Sequence, residues 1–326
     1  MSLGPRSSCQ RLQQLYRWAG QARRESGGAP LLQQLCEAAL LRLPPGRLGL
    51  SEYFDYRLFE TQQSWAEKRR FVGWRGEPAL DRANEAGSHR YTDDKILLDG
   101  LLHDAGLPRA QLFAVYRAAS ATAAGVARLE QAEALADWLR LCSDYPLFAK
   151  PAHAGFGRGV HLIEGYRAAD DHLLLTQGQV MPARDFVAAL PNPGQRGYLF
   201  QQALSPHAAL AALQCRRLSS LRVMTLAPPG GPPEIYRAVW KLPRRHNIID
   251  NFESGSTGNL LAAVDLLDGR VLRVIQGFGL GLRELQSHPD SGLPFEGLVL
   301  PDWPALRSTT LAAAALLPGL RFQHWD

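Results

Sequence analysis

Between Leu147 and Glu164 the chain reads LFAKPAHAGFGRGVHLIE, the stretch that most restricts what the chain can fold into. A short apolar run carries Lys150 into a turn of small residues and glycine, and strand character resumes from Val160 to Ile163. The pattern predicts an antiparallel hairpin with a flexible tip. Gly155, Gly157 and Gly159, with Arg158 among them, resemble a phosphate cradle, because glycine lets backbone N–H groups approach anionic oxygens. The run is not a Walker loop, and no helix follows it as GxGxxG would require. On its own, a structural hairpin tip is the simpler reading. Composition adds weight to the other one: of 36 basic residues only Lys68, Lys95, Lys150 and Lys241 are lysines. In a chain so biased to arginine, a retained lysine marks a place where a compact ammonium serves and a forked guanidinium does not. Lys150 and Lys95, the latter in the first turn of an upstream helix, flank the loop and suit a nucleotide triphosphate clamped between strand and lid.

The remaining pattern predicts an α+β protein. Two helices fill residues 8 to 43, with Leu12, Leu15, Tyr16 and Ala19 on one inward face and Leu32, Leu35, Cys36 and Ala39 on the other. The aromatics of SEYFDYRLFE, Ser51 to Glu60, are read as core. Thr92 is the expected N-cap of a helix buried through Ile96, Leu97, Leu101 and Leu102 and stopped by Gly106 and Pro108. A strand at 111 to 116, a helix around Ala132 to Leu139, a helix near Ala183 to Leu190, the strand GYLFQQAL, a helix after Pro206, strands at LRVMTLA, EIYRAVW, LLAAVDL and VLRVIQ, and a helix from Leu306 to Leu317 follow. The chain then stops within LRFQHWD, which reads as a strand.

Several function classes are set aside by composition. The four cysteines, Cys9, Cys36, Cys142 and Cys215, have neither zinc nor CxxC spacing and are expected to be free, buried thiols. The net charge of +5 is spread among interleaved acids, so nucleic-acid binding is not expected. The apolar run Leu311 to Leu317 is far shorter than the roughly 20 residues of a membrane span, and the N-terminus has no signal-peptide core, so a cytoplasmic protein without a membrane span is expected.

Eight segments in series, SEYFDYRLFE, TDDKILLDGLLHDAGLP, FAKPAHAGFGRGV, LFQQALSPH, SSLRVMTL, IIDNFESGSTGNLLAAVDLLDGRV, HPDSGLPFEGLVLPDW and LPGLRFQHWD, resemble the ATP-grasp superfamily. Within it they are similar to the sugar-transfer-associated, glutamate-ligase-related group. The resemblance covers about Leu50 to Asp326 and implies an ATP-grasp fold, two α+β subdomains that clamp ATP, preceded by an N-terminal helical region. The implied division is a helical region at 1–50, a pre-ATP-grasp region at 51–142, a lid subdomain at 143–205 and a C-terminal subdomain at 206–326.

Site roles follow from the resemblance residue by residue. Lys95 and Lys150 are implied to hold the α- and β-phosphates beneath a lid of Gly155, Gly157, Arg158 and Gly159. Gln201 to Leu204 are implied to read the adenine edge, with Gln201 or Gln202 where relatives place a glutamate. His207 is implied to face the ribose, and a histidine at a helix start is an equal alternative. Arg222 lies mid-strand and needs an anionic neighbour, either the transferred phosphoryl group or a structural carboxylate. Asp250 and Asn251 resemble the loop that ligases place over the acceptor. His288 and Asp290 in HPDSG are explained equally well by a turn. Asp326 resembles a first magnesium ligand; the superfamily's following Glu-x-Asn strand is not in this sequence, so the expectation is either part of a longer enzyme or a degenerate relative. The implied cofactors are ATP and Mg2+, and the implied activity joins a carboxylate to an amine through an acylphosphate. The alternative is a catalytically silent nucleotide-binding scaffold.

Overall fold

A computed structural model of the protein describes residues 8–25, 27–153, 155, 157–190, 197–214 and 217–326; the side chains of Cys9 and Leu12, and Cys215 altogether, lie outside it. Among the described residues thirteen strands run in chain order: β1 Leu112–Tyr116, β2 Ala127–Leu129, β3 Leu147–Pro151, β4 His161–Arg167, β5 His172–Leu175, β6 Val180–Pro182, β7 Tyr198–Gln202, β8 Ser220–Leu226, β9 Glu234–Leu242, β10 Leu260–Val264, β11 Val271–Gln276, β12 Arg283–Glu284 and β13 Phe322–Trp325. They form two sheets, β2-β1-β7-β3-β4-β5-β6 and β12-β11-β10-β9-β8-β13. The first is antiparallel except for the β1–β2 pair, and the second is antiparallel throughout.

The expected hairpin is β3–β4, with Leu147 opposite Ile163 and Ala149 opposite His161. Side chains alternate across a strand, so Leu147 and Ala149 enter the core of the first sheet while Lys150 is directed to the other face. That core is closed by the helices Ala132–Leu141 and Ala183–Ala189 through Leu135, Leu139, Phe186 and Val187. Each fully buried leucine there contributes about 1.5–3 kcal/mol. On the opposite face the helix Lys95–Asp104 lies over Leu112, Val115 and Leu199 through Ile96. The face that bears Lys150 is therefore the face that carries the Lys95 helix. The first sheet also crosses the expected 142/143 boundary, since β1 and β2 precede it and β1 pairs with β7.

The second sheet buries Val223, Ala238, Trp240, Leu260 and Val274 with Trp303 of the helix Trp303–Ala315. The helices Ser8–Arg24 and Leu31–Leu41 form a third core with Tyr53, Phe54, Leu58 and Phe59, as expected for the aromatic segment.

Three expectations are corrected. The N-cap of the Lys95 helix is Asp94, whose carboxylate accepts from the N–H groups of Ile96 and Leu97, while Thr92 lies in a separate turn of helix, Arg90–Asp93. Aspartate is an equally good cap and sits at the place where the backbone changes direction. The helix Leu31–Leu41 turns the opposite way from its apolar pattern: Leu32, Leu35, Cys36 and Ala39 face outward, and Gln34, Ala38 and Leu41 are buried. The cause is hydrogen bonding, because the Gln34 amide donates to Ala19 O and Ala29 O at 3.3 and 2.7 Å. Tyr16 of the first helix is likewise exposed, whereas Ala19 is buried as expected, with Ala22 beside it. Cys36 is consequently exposed, while Cys142, at the end of the helix Ala132–Leu141, is half-buried against the first core; both are free thiols, and neither is fully buried.

Candidate functional site

The strand–helix arrangement brings Lys95 and Lys150 to one corner. The Lys95 backbone N–H and its ammonium both donate to Ala152 O, at 3.1 and 3.2 Å, which ties the start of the helix to the residue just past β3. Burial first, and then the charge of Lys95, pushes the Lys150 ammonium down to about 8, with Asp99 opposing. Lys95 is lowered as well, by burial, against the nearby charge of Asp94. Two cationic side chains thus share a half-buried corner, where each disfavours the other's charge. Asp99 relieves this only in part, since its own carboxylate is engaged by Arg109 at 3.0 Å.

A cleft of about 630 Å3 opens at this corner, lined by Thr92, Asp94, Lys95, His153 and Gly155 among others. Asp94 organises its wall: beyond capping the helix it accepts a short hydrogen bond from the Ser120 hydroxyl, and His153 lies 3.5 Å from the same oxygen. The glycine loop is held at its far end by Tyr198, whose hydroxyl donates to Gly159 O. Gly157 adopts φ +67° and Gly159 φ +69°, the left-handed region that favours glycine. A Cβ on Gly157 would lie 2.6 Å from Ile249 Cδ1 and 3.4 Å from Asn251 Nδ2. Close approach as well as backbone conformation therefore calls for glycine there, and the loop reaches the segment that carries Asp250 and Asn251.

That segment leads to a second charged group on the other sheet. Asp250 accepts from Ser220 N and Oγ at 2.7 and 2.6 Å and lies 3.5 Å from Lys241 Nζ. Lys241 also contacts Asp326 at 3.1 Å, and Arg222 grips Asp326 with both arms of its fork, at 2.9 and 2.5 Å. These residues converge because β8 lies between β9 and β13. Burial pulls the Asp326 carboxyl up, but the Arg222 hydrogen bond and the Lys241 and Arg222 charges prevail and hold it below the usual range. Arg222 is raised by the same hydrogen bond, against burial.

The expected site residues thus form one line, from Lys150 and Lys95 through Gly155 and Gly157 to Asn251, Asp250, Asp326 and Arg222. Arg158 belongs to this loop, its N–H donating to Gly155 O. Others lie apart. His207 caps the short helix Ala208–Ala211 by accepting from Ala209 N, and it lines a small cleft of about 170 Å3 with Trp240 and Leu300. Gln201 and Gln202 end β7; the Gln202 N–H donates to Gln111 O and the Ala203 N–H to Pro146 O, so neither of these hinge donors points to open space. Asp290 forms a forked pair with Arg244, which sets its carboxyl at about 2 against the effect of burial, and His288 is fully buried beside Phe295.

Two residues of the site were not singled out from the sequence. Lys241 was visible as one of four lysines, but only the sheet shows it between two carboxylates. Asn259 carries no such signal: fully buried, it donates to Ile249 O and Asn251 O and accepts from Arg244 N and Asn247, pinning the loop that holds Asn251.

The geometry also bears on magnesium. Both Asp326 oxygens are engaged by Arg222 and Lys241, and a cation at this carboxylate would have to displace one of them. Among the described residues no group of three or more His, Cys, Asp or Glu is arranged to hold a metal. Magnesium favours several oxygen ligands, so the arrangement seen does not fit it as a resident ion.

Among curated proteins, none matches this sequence. A solved structure titled as the ADP complex of purK, N5-carboxyaminoimidazole ribonucleotide synthetase, aligns with a TM-score of 0.32 and 13% identity, over 68% of this chain and 52% of that one. The chain spans about half the length of that protein. No helix among the described residues is long and apolar enough to cross a membrane. The family described as sugar-transfer associated ATP-grasp matches residues 80–326, from before the Lys95 helix through both sheets to Asp326. With the lysine corner, the glycine loop and the Arg222 cluster all inside that span, the chain belongs to the sugar-transfer associated ATP-grasp family.

Proposed function

We propose that the chain binds ATP in the cleft at the lysine corner and uses it to activate a carboxylate for attack by an amine. The observation that carries this reading is the pair Lys95 and Lys150, two cations confined to one half-buried corner beside a glycine loop. A polyphosphate placed between them would offset the burial and, after it, the repulsion that lower Lys150. Gly155, Gly157 and Gly159 would close over the phosphates with backbone N–H groups, while reading of the base by the hinge after β7 would require the Gln202 and Ala203 N–H groups to leave Gln111 O and Pro146 O. Arg222 would release Asp326 and turn its fork to the transferred phosphoryl group, for which a planar guanidinium is suited. The carboxylate oxygen attacks the γ-phosphorus, ADP leaves, and the amine then displaces phosphate from the acylphosphate to give an amide. Asn251, facing the glycine loop, would position the acceptor. These residues orient and neutralise charge more than they move protons.

The test is to incubate the protein with ATP, magnesium, hydroxylamine and a panel of carboxylates. Release of ADP with an equivalent amount of hydroxamate supports the ligase. ATP binding without ADP release across the panel supports the other reading, a silent nucleotide-binding relative. The specific observation in favour of that second reading is the closed Arg222–Asp326–Lys241 cluster, in which the charges satisfy one another.

A further inference from the structure

The helix Leu31–Leu41 buries Gln34 and half-buries Glu37 beside Ala38 and Leu41, and leaves three of its leucines outside. Gln34 is buried against Ala19 O and Ala29 O, and Glu37 accepts from Tyr53 Oη at 2.7 Å and pairs with buried Lys68 at 2.8 Å. Outward lie Leu32, 74% exposed, Leu35, 65%, Leu40, 53%, and Leu43 just beyond the helix, 58%. Cys36 and Ala39 stand between them on the same face. Isolated exposed leucines are ordinary, but a continuous stripe at helical spacing marks a surface that is meant to be covered.

The surrounding charge identifies the cover. Residues 8–50 hold six arginines against two glutamates. Both glutamates are already paired, Glu25 with Arg57 and Glu37 with Lys68. Arg17, Arg23, Arg24, Arg42 and Arg47 are exposed, with Arg42 beside Leu43 at the end of the stripe. Trp74 is exposed near Gly49, where a Cβ would lie 3.3 Å from its indole nitrogen, and Arg75 stacks on it at 5.1 Å. Exposed leucines that can enter an acyl layer, carried on a helical unit whose exposed charge is arginine, with Arg42 at the end of the stripe, are the parts of an interfacial surface. An 11-residue helix presents a stripe roughly 16 Å long and no wider than about 11 Å, on the order of 180 Å², which is little beside the ~800 Å² that each partner of a stable complex buries. We propose that this helical unit docks the protein, from one side and without spanning, on an anionic lipid surface through Leu32, Leu35, Leu40 and Leu43. The proposal stands apart from the nucleotide site, which it does not use.

The test is flotation of the full chain with phosphatidylglycerol–phosphatidylcholine vesicles and with phosphatidylcholine alone. The wild type is expected to float with the anionic vesicles, less so as salt rises, and to stay behind with the zwitterionic ones. The double variant Leu32→Asn, Leu35→Asn is expected to bind the anionic vesicles at least tenfold more weakly, with an unchanged thermal midpoint because both side chains are exposed. Absence of flotation overturns the proposal, as does equal binding to both vesicle types or binding that survives the double variant. So does a concentration-dependent dimer that the double variant dissolves in the absence of vesicle binding, since the stripe is then an interface between copies.

Discussion

Beside the first sheet Lys95 and Lys150 set two ammonium groups together, and on the second sheet Arg222 and Lys241 close onto Asp326 with Asp250 beside them. Both corners hold two cations, yet folding leaves those cations in different states. At the lysine corner burial and like charge oppose protonation of Lys150, so a bound anion is rewarded at once. At the arginine corner the protein's own carboxylates already hold the cations, so an incoming anion must compete with them. The difference teaches where ground-state binding and where a later step belong: the first corner suits an anion that arrives, the second an anion that develops and displaces Asp326.

The sharpest way to break this comparison is Lys150→Ala. A charge-assisted contact is worth about 1.5–3 kcal/mol, so ATP affinity measured by calorimetry should fall tenfold or more. Unchanged affinity would remove the lysine corner from the nucleotide site.

Next in size is pH dependence. Lys150 is lowered to about 8, chiefly by burial. Its folded value lies below its unfolded one, so its charged form costs stability at pH below about 8, and that cost is relieved as pH rises through 8. ATP favours the charged form, so binding should take up a proton above pH 8, and affinity should weaken by up to about tenfold per pH unit there while staying flat at lower pH. Calorimetry at pH 7, 8 and 9 in two buffers of different ionisation enthalpy reads both effects. Affinity independent of pH over that range would contradict a titrating Lys150 at the site.

Asp326→Asn tests the other corner. It strips the counter-charge from Arg222 and from buried Lys241, but Arg222 and Asp326 are 38% and 44% exposed, so solvent screens the loss. We expect about 1–2 kcal/mol of destabilisation, seen as a fall of several degrees in the thermal midpoint, with ATP affinity much less affected than by Lys150→Ala. A loss of affinity equal to that of Lys150→Ala would merge the two corners into one ground-state site.

The smallest effect is expected from Gly157→Ala. The φ of +67° and the contact with Ile249 both oppose a Cβ, though the end of the isoleucine can move, and the cost should be about 1 kcal/mol in a thermal melt. A neutral substitution would show that the loop does not rest on the Asn251 segment in solution.

Much of the site could be read locally. The hairpin of β3 and β4 follows from alternation and glycine, and Lys150 and Lys95 stand out because lysine is scarce in this chain. The core of Ala132–Leu141 follows from its 3.6-residue apolar spacing, since that helix packs on one side only. The same rule failed for Leu31–Leu41, where periodicity locates a stripe without saying which side faces in. Gln34 decided that through the carbonyls of Ala29, in the turn before the helix, and of Ala19 on the preceding helix, and apolar periodicity carries no information on either. Asp94 displaced Thr92 as cap for a comparable reason: both residues can cap, and the turn of the preceding segment selected one.

The sequence by itself determined the alternation of strands and helices, the glycine tip with its two neighbouring lysines, and the ATP-grasp character of residues 80–326, because these depend on residue order over short spans. Only the tertiary structure decided that Lys241 bridges Asp250 and Asp326, that Arg222 meets Asp326, and that Asn259 pins the loop of Asn251. Arg222 and Asp326 are 104 residues apart and become neighbours because β13 pairs with β8. Register across that pair, set by which apolar residues reach the core, chooses which charges meet, and that choice is made by the sheet as a whole.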